Sequence, residues 1–120
     1  MVVNDLDAGP AAETMAAIRS IGAECVPCVG NVAATGLGEE IVRTAVDAWG
    51  GLDIIVNNAG FVWDSVIQKM TDEQWQAVID THLTAPFRIL RAAQPVIRGL
   101  VKEEQAAGKR VVRKVVNISS

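Results

Sequence analysis

The sequence predicts an α/β protein whose sheet is built from parallel strands, and the alternation of two sequence patterns supports this prediction. Short apolar, β-branched segments alternate along the chain with longer segments in which apolar residues recur at helical spacing. Such alternation is typical of βαβ units, whose helices cover both faces of a parallel sheet. The length of 120 residues suits one domain rather than two, and 50% hydrophobic with 21% charged residues is a globular composition.

The first half of the chain is predicted to contain two strands and two helices. Gly22 is placed to end the first helix, because glycine readily adopts the left-handed conformation that follows many helices. Gly30 and Asn31 end the second strand. In chain order the predicted elements are a strand over 1–6, a helix over 10–21, a strand over 25–29 and a helix over 38–49.

The second half is predicted to contain a strand, a long helix and a final strand. Residues 52–56 form an almost continuous apolar run, which is typical of a buried parallel strand. Residues 71–74 form a capping box at the start of a helix, and Pro86 should kink this helix because proline lacks a backbone N–H. Residues 103–108 are polar and predict an exposed loop before the last strand, over 111–118.

The charge pattern argues against nucleic-acid and membrane partners. A net charge of −3 and a pI near 5.0 leave no basic surface, and the basic cluster over 109–114 is interpreted as the solvated start of a strand. No apolar stretch reaches the roughly 18 residues of a membrane span. Asp5 and Asp7 interrupt the apolar start too early for a signal peptide. A cytoplasmic location is therefore expected.

Cys25 and Cys28 form a Cys-Val-Pro-Cys sequence of the kind found in redox and zinc sites. Positions three apart on a strand point to opposite faces, so the two thiols should not meet. A single pair also leaves a zinc site two ligands short. We therefore predict two buried side chains and no metal site.

The residues that follow each strand are the candidate site, because ligands bind parallel sheets beyond the carboxyl ends of their strands. Asp5 ends the first strand, and its carboxylate can accept the hydroxyl protons of an adenosine ribose while it repels a 2′-phosphate. Asn58, Ala59 and Gly60 follow the third strand, where small residues let a flat ligand approach the backbone. Taken singly, each such strand end is more typical of a turn than of a binding site.

The segment Asn57-Asn58-Ala59-Gly60, placed after the strand over 52–56, resembles the hallmark segment of the short-chain dehydrogenase/reductase family. The resemblance continues through Thr81-His82-Leu83 and closes with residues 116–120, so it covers essentially the whole chain. It implies a partial Rossmann-like, doubly wound parallel sheet. This sheet would lack the family's first strand, with its glycine-rich turn, and everything after the fifth strand. Residues 1–120 would then be a single partial dinucleotide-binding domain.

The resemblance assigns cofactor-binding roles to the strand ends. Asp5 would bind the adenine ribose and favour NAD over NADP. Asn31 and Val32 would flank the adenine, and Asn58, Ala59 and Gly60 would line the path to the nicotinamide ribose. The implied reaction is hydride transfer between nicotinamide and a secondary alcohol or ketone, a small-molecule substrate in the class of 3-hydroxyacyl and 3-oxoacyl thioesters.

Two residues receive catalytic roles from the same resemblance. Ser120 matches the serine that hydrogen-bonds the substrate oxygen while a tyrosine transfers the proton. His82 stands where the family usually has asparagine, which helps to anchor a water in the proton relay. Histidine has a donor, an acceptor and a titratable proton for similar work. The alternative is a core histidine on the apolar face of its helix, and the sequence leaves both interpretations open.

Three parts of the family's machinery are absent from these residues: the glycine-rich turn, the catalytic tyrosine and the lysine that follows it. The chain contains no tyrosine. We therefore expect the chain alone to be inactive. The alternative function is a non-catalytic remnant that acts as an interaction or oligomerisation module through residues 75–90, and a homo-oligomer is expected in either case. A flavodoxin-like module is disfavoured because residues 5–10 do not resemble a phosphate loop.

The family's first strand lies between the first and third strands predicted here. Without it, two rows of backbone donors and acceptors would be exposed. We expect one of three outcomes: an unstable chain, direct pairing of the first and third strands, or recruitment of a strand from a partner.

Overall fold

The computed structural model describes residues 1–119, and within them four short strands alternate with helices as the sequence predicts. A 3-10 turn, Ile67–Lys69, precedes the third helix, and a π-helical turn, Asp80–Thr84, joins the third helix to the fourth. The elements are β1 Val2–Asp5, α1 Ala8–Ser20, β2 Val26–Val29, α2 Leu37–Trp49, β3 Ile54–Asn57, α3 Asp72–Ile79, α4 Ala85–Ala106 and β4 Lys114–Asn117.

The strands form two separate parallel pairs rather than one sheet. β1 pairs with β2, and β3 pairs with β4, in parallel registers that align Asp5 with Val29 and Asn57 with Asn117. Over residues 1–119, β1 and β3 are not hydrogen-bonded to each other, so the prediction of direct pairing is wrong.

The packing of the helices explains why β1 and β3 do not meet. α2 contacts β1 and β2, and α4 packs on both α2 and β3. Packed helices lie about 8–10 Å apart, roughly twice the ~4.8 Å between paired strands. Strands placed beneath neighbouring helices are therefore too far apart to bond directly.

The two strand pairs are covered differently. β1 and β2 have helices on both faces: α1 packs against one face through Met15 and Ile18, and α2 contacts the pair as well. β3 is buried on one face only, where Ile55 joins a cluster from α2 and α4. Helix cover on both faces is thus confirmed for β1 and β2, and wrong for β3 and β4 within the described residues. The cluster consists of Val42, Ile55, Ile89 and Ala93.

The cysteines confirm the prediction of two separate buried side chains. Both are buried and free, and Cys25 belongs to the cluster under α1. Cys28 faces α2, and burial raises the pKa of its thiol above the usual value. Residues 1–119 contain no group of three or more side chains suited to hold a metal ion.

The capping box is confirmed at the start of α3. The Thr71 hydroxyl accepts the backbone N–H of Gln74 at 3.2 Å, and the Thr71 N–H donates to the Gln74 side chain at 3.0 Å.

Where a kink was predicted at Pro86, the structure has a π-helical turn, Asp80–Thr84, just before the proline. The N–H of Ala85 bonds to the carbonyl of Asp80, five residues back. The π-helical turn is wider than an α-helical turn, and it accommodates Pro86, which has no backbone N–H to donate.

The predicted loop over 103–108 is wrong, because α4 continues to Ala106. Gly108 has φ of 69° and, with Lys109, closes the helix through N–H groups that bond to Gln105 and Glu104 at 3.1 and 2.8 Å. This is a Schellman ending. The polar residues of the segment are therefore the solvent-facing last turn of a helix.

Among the described residues, no helix combines the length and apolar character needed to cross a bilayer.

Candidate cofactor and substrate site

The carboxyl ends of β1 and β2 are fastened together around Asp5. The Asp5 carboxylate is half-buried and accepts the backbone N–H of Asp7 at 3.1 Å, which orients one of its oxygens. The Asp5 carbonyl accepts the N–H of Gly30 at 2.8 Å. Asn4, which the sequence analysis did not single out, donates to the carbonyls of Cys28 and Gly30 at 2.7 and 3.1 Å. Its signal was a polar side chain directly after the two valines that begin β1.

Asn31 and Val32 begin the loop that leads from β2 to α2. The Asn31 side-chain oxygen accepts the N–H of Ala33 at 2.9 Å, which fixes a local turn. Val32 is half-buried and packs against the core cluster of α2, β3 and α4. Arg88, on α4, donates to the carbonyl of Ala33 at 2.6 Å and so connects this loop to α4. No local pattern indicated this contact.

Asn58, Ala59 and Gly60 form an exposed segment directly after β3. A methyl group added at Gly60 would lie 2.6 Å from Cε1 of His82, a distance that Cβ atoms do not tolerate. A larger residue at this position would therefore require the exposed His82 ring to move.

His82 lies in the π-helical turn and contacts the segment after β3. Its Nε2 atom is 2.9 Å from the carbonyl oxygen of Phe61 and 3.3 Å from the Phe61 nitrogen. Depending on the tautomer, the ring donates to that carbonyl or accepts from that N–H. The side chain is exposed, so the interpretation as a core histidine is wrong. The ring connects the π-helical turn to the carboxyl end of β3. Single π-helical turns within α-helices are frequently found at functional sites.

The carboxyl ends of β3 and β4 are joined by an amide pair. The Asn57 side chain donates to the Asn117 side chain at 2.8 Å, and the Ile118 N–H donates to the Asn57 carbonyl at 3.0 Å. Asn57 thus connects β3 to β4 through both its side chain and its backbone. Ser120, the predicted catalytic serine, lies outside the described residues.

The structure places the candidate residues in two groups. Asp5 ends β1, and Asn31 and Val32 come shortly after β2, the other strand of that pair. Asn58 to Gly60 and His82 lie at the carboxyl end of the other pair. Each group stands at the carboxyl end of its strands. This is the edge at which parallel α/β sheets bind nucleotides.

A parallel α/β fold with candidate residues at its strand ends is typical of nucleotide-binding domains. The sequence model of the short chain dehydrogenase family matches residues 1–120, and the chain therefore belongs to this family. The family prediction and the partial Rossmann-like α/β fold are both confirmed.

Two curated relatives are similar along the whole chain. A hydroxyacyl-CoA dehydrogenase, ChsB1, of Mycobacterium tuberculosis (strain ATCC 25618 / H37Rv) is 38% identical, over 100% of this chain and 38% of that protein. A 3-oxoacyl-[acyl-carrier-protein] reductase of Synechocystis sp. (strain ATCC 27184 / PCC 6803 / Kazusa) is 31% identical, over 100% of this chain and 45% of that protein. The chain thus spans less than half the length of these relatives.

Solved structures show the same similarity. A short chain dehydrogenase from Mycobacterium avium has a TM-score of 0.85 and 37% identity, covering 99% of this chain and 44% of that one. A metagenomic short-chain oxidoreductase in complex with NADP has a TM-score of 0.79 and 26% identity, covering 99% of this chain and 50% of that one.

Proposed function

We propose that the protein is an NAD-dependent oxidoreductase that transfers hydride between nicotinamide and a secondary alcohol or ketone, with 3-hydroxyacyl and 3-oxoacyl thioesters as its substrates. The observation that carries this proposal is the position of Asp5 and of the Asn58–Gly60 segment, each at the carboxyl end of its strand. Family membership and the acyl-thioester names of the curated relatives support it.

The residues at the strand ends fit a dinucleotide. One oxygen of Asp5 accepts a backbone N–H, and the remaining lone pairs of the carboxylate are suited to the two hydroxyl groups of a ribose. Asn31 and Val32 begin a turn that hydrogen bonds within the turn and from Arg88 hold in place, and an adenine can lie against it. The exposed backbone at Asn58 to Gly60 lets a flat ring approach closely. When bound, the cofactor supplies or receives the hydride.

The substrate is handled by two side chains of this sequence. Ser120 donates a hydrogen bond to the substrate oxygen and so orients the carbon that exchanges hydride. His82 positions the Gly60–Phe61 segment through its contact with the Phe61 backbone. Proton transfer needs an acid of the type that the family's tyrosine supplies, and none of the 120 residues is a tyrosine. The 120 residues by themselves are therefore proposed to bind without turnover.

The choice of NAD over NADP rests on the charge of Asp5, because a carboxylate repels a 2′-phosphate. Titration of the chain with NADH and NADPH, followed by nucleotide emission, should show tighter binding of NADH. Asp5→Ala should weaken NADH binding by about tenfold to a hundredfold, as expected for a lost hydrogen bond to a charged group. Asp7→Asn is the matched control, because Asp7 is exposed and contacts Asp5 only through its backbone.

Two results would contradict this assignment. Equal affinities for NADH and NADPH would remove Asp5 from the ribose site. An Asp7→Asn variant that binds as weakly as Asp5→Ala would mean that overall charge, rather than a specific contact, decides the affinity.

The second candidate function is an interaction or oligomerisation module, and exposed apolar side chains on the α3–α4 region favour it. Leu83 is 64% exposed and Phe87 is 57% exposed, on consecutive turns. We propose that they pack against a second copy in a homo-oligomer.

A cytoplasmic location is part of the proposal, and the peroxisomal names of other relatives make the peroxisome the alternative to examine.

Sedimentation velocity at several protein concentrations measures the oligomeric state and so tests the proposed homo-oligomer. Phe87→Glu should raise the dissociation constant of the oligomer at least about tenfold, because burying a phenylalanine contributes about 1.5–3 kcal/mol. Thr14→Glu, at an exposed position of α1, is the charge-matched control. Association without any NADH binding would favour the module over the oxidoreductase, whereas identical behaviour of the two variants would exclude this surface.

A further inference from the structure

The strand β2 has one edge that pairs with β1 and one edge, here called its outer edge, that faces away from β1. Among the described residues, β1 is the strand with which β2 is hydrogen-bonded. An unpaired edge presents backbone N–H and C=O groups to which a strand of another chain can bond. The sequence of β2, Val-Pro-Cys-Val, contains no charged side chain that would oppose such pairing.

The hydrogen bonds to β1 show which residues of β2 face the outer edge. Along a strand, the backbone groups of successive residues point to opposite edges. The N–H groups of Val26 and Gly30 donate to carbonyls of the β1 segment at 3.0 and 2.8 Å. Val26, Cys28 and Gly30 therefore bond towards β1, and the backbone groups of Pro27 and Val29 point away from it.

Pro27 removes one of the two backbone donors on this outer edge. Proline has no N–H, and its ring takes the place of the missing hydrogen. An incoming strand would bring a carbonyl oxygen to this position, where it would meet the ring instead of a donor. The nitrogen of Pro27 faces away from β1, so the proline leaves the β1–β2 pairing undisturbed, and its side chain is exposed. Edge strands are the part of a sheet in which proline is tolerated.

The outer edge of β4 has no such residue. The N–H groups of Lys114 and Ile118 donate to the segment that contains β3 at 2.9 and 3.0 Å. By the same alternation, the N–H groups of Val115 and Asn117 point away from β3. β4 therefore keeps both donors on its outer edge, whereas β2 keeps only the one at Val29.

We propose that Pro27 closes the outer edge of β2 to strand addition, so that a second copy of the chain does not extend the β1–β2 pair on this side. Without the proline, an uncharged strand whose Val29 side chain is 44% exposed would be a template for edge-to-edge contact. Short apolar segments of high β-propensity associate through their edges when they lack proline. The inference is independent of the proposed oxidoreductase function.

The test restores the missing donor. Pro27→Val supplies an N–H on the outer edge and leaves the bonds of β2 to β1 in place. The variant is made in the Phe87→Glu background, so that the proposed surface on α4 does not contribute to association. Sedimentation velocity should show that the self-association constant rises at least about tenfold, as expected for a gained backbone hydrogen bond and the removal of a clash.

Two further variants isolate the role of the proline. Pro27→Ala restores the same N–H with a smaller side chain and should change the association constant in the same direction. Pro10→Val, at an exposed position in the first turn of α1, is the matched control and should leave the association constant unchanged. Circular dichroism verifies that each variant is folded.

Hydrogen exchange of the Val29 amide locates the contact. In the unmodified chain this N–H faces away from β1 and should exchange rapidly. In Pro27→Val, an added strand should slow its exchange, and more so at higher protein concentration. Moving the proline by combining Pro27→Val with Val29→Pro places the ring on the same edge and should return the association constant to its original value.

Three results would overturn the proposal. The first is an unchanged association constant in both Pro27→Val and Pro27→Ala. The second is association that leaves the exchange of the Val29 amide unchanged, because the contact would then lie at another edge, such as that of β4. The third is association that persists when the proline is moved to position 29, because the ring would then not be what closes this edge.

Discussion

The β1–β2 pair and the β3–β4 pair differ in how well their apolar residues are covered, although β3 is the more apolar strand. Val3 of β1 is 8% exposed and packs with Met15 and Ile18 of α1. In β3, Ile55 is also 8% exposed, but its neighbours Ile54 and Val56 are 58% and 56% exposed. Burial in this fold is therefore set by which helices cover a face, rather than by the composition of the strand.

The difference has a consequence for association. The open face of β3 and β4 presents apolar side chains on paired strands, including Ile54, Val56 and Val116. Apolar surface next to an unpaired strand edge favours contact with other chains. By contrast, α1 and α2 cover both faces of β1 and β2.

The largest effect is expected from substitutions on the two faces of β3. Ile55→Ala removes a side chain from the cluster with Val42 and Ile89 and should lower the free energy of unfolding by about 2–5 kcal/mol. Ile54→Ala is the matched control on the opposite face, and its effect should stay within about 0.5 kcal/mol. Urea denaturation followed by circular dichroism measures both. Equal losses would show that the second face of β3 is also buried in solution, and would remove the contrast between the two strand pairs.

A smaller effect is expected where the carboxyl end of β3 meets the π-helical turn. Gly60→Ala places a methyl group 2.6 Å from the His82 ring, and the overpacking should cost about 1–3 kcal/mol of unfolding free energy. His82→Ala combined with Gly60→Ala should recover most of this loss, because the clashing ring is gone. A double-mutant cycle by urea denaturation gives the coupling. Gly99→Ala, where an added methyl group meets nothing within 4 Å, serves as the reference.

Additive effects of Gly60→Ala and His82→Ala would mean that the ring does not press on the segment after β3. In that case His82 would not position the proposed nicotinamide path. The carboxyl end of β3 would then depend on contacts within its own strand pair, as Asp5 does at the end of β1.

The local features of the fold could be predicted from the sequence because short-range patterns encode them. The capping box from Thr71 to Gln74 and the opposite faces of Cys25 and Cys28 follow from spacings of three residues. The strand order along the chain and the parallel pairing followed from the alternation of periods. The family resemblance then located the candidate residues at strand ends.

The features that could not be predicted depend on side chains far apart in the sequence. Arg88 reaches Ala33 across 55 positions, and Arg113 reaches Leu52 across 61 positions. Neither contact leaves a local pattern, because the residues next to an arginine in the sequence do not show whether its side chain has a distant partner. The last turn of α4, which ends at Ala106, was predicted to be a loop because its residues are mostly polar. The split into two strand pairs depends on helix spacing, which sequence periodicity does not contain.

The smallest effect is expected at the ion pair that attaches α4 to the β3–β4 pair. Arg113 donates to both oxygens of Glu104 at 2.9 and 2.6 Å, and to the carbonyl of Leu52 at 3.0 Å. Hydrogen bonding from Arg113 is the main cause that lowers the pKa of Glu104 below its usual value. A depressed carboxyl pKa means that the unfolded chain binds the proton more readily. The stability from this pair is therefore present above the unfolded pKa of glutamate and is lost as the pH falls through the folded pKa.

Glu104→Gln should accordingly flatten the dependence of unfolding free energy on pH over the acidic range. The difference from the unmodified chain should be greatest near neutral pH and should shrink as the pH falls through the folded pKa of Glu104. Added salt should reduce this difference only slightly, because the side chains of Arg113 and Glu104 are 11% and 20% exposed and partly buried pairs are screened less than exposed ones. Glu103→Gln, an adjacent exposed carboxylate on the same turn, is the control and should leave the pH dependence unchanged. If Glu103→Gln flattens the curve equally, the net charge of the helix end, rather than the contact with Arg113, stabilises the attachment of α4 to β3 and β4.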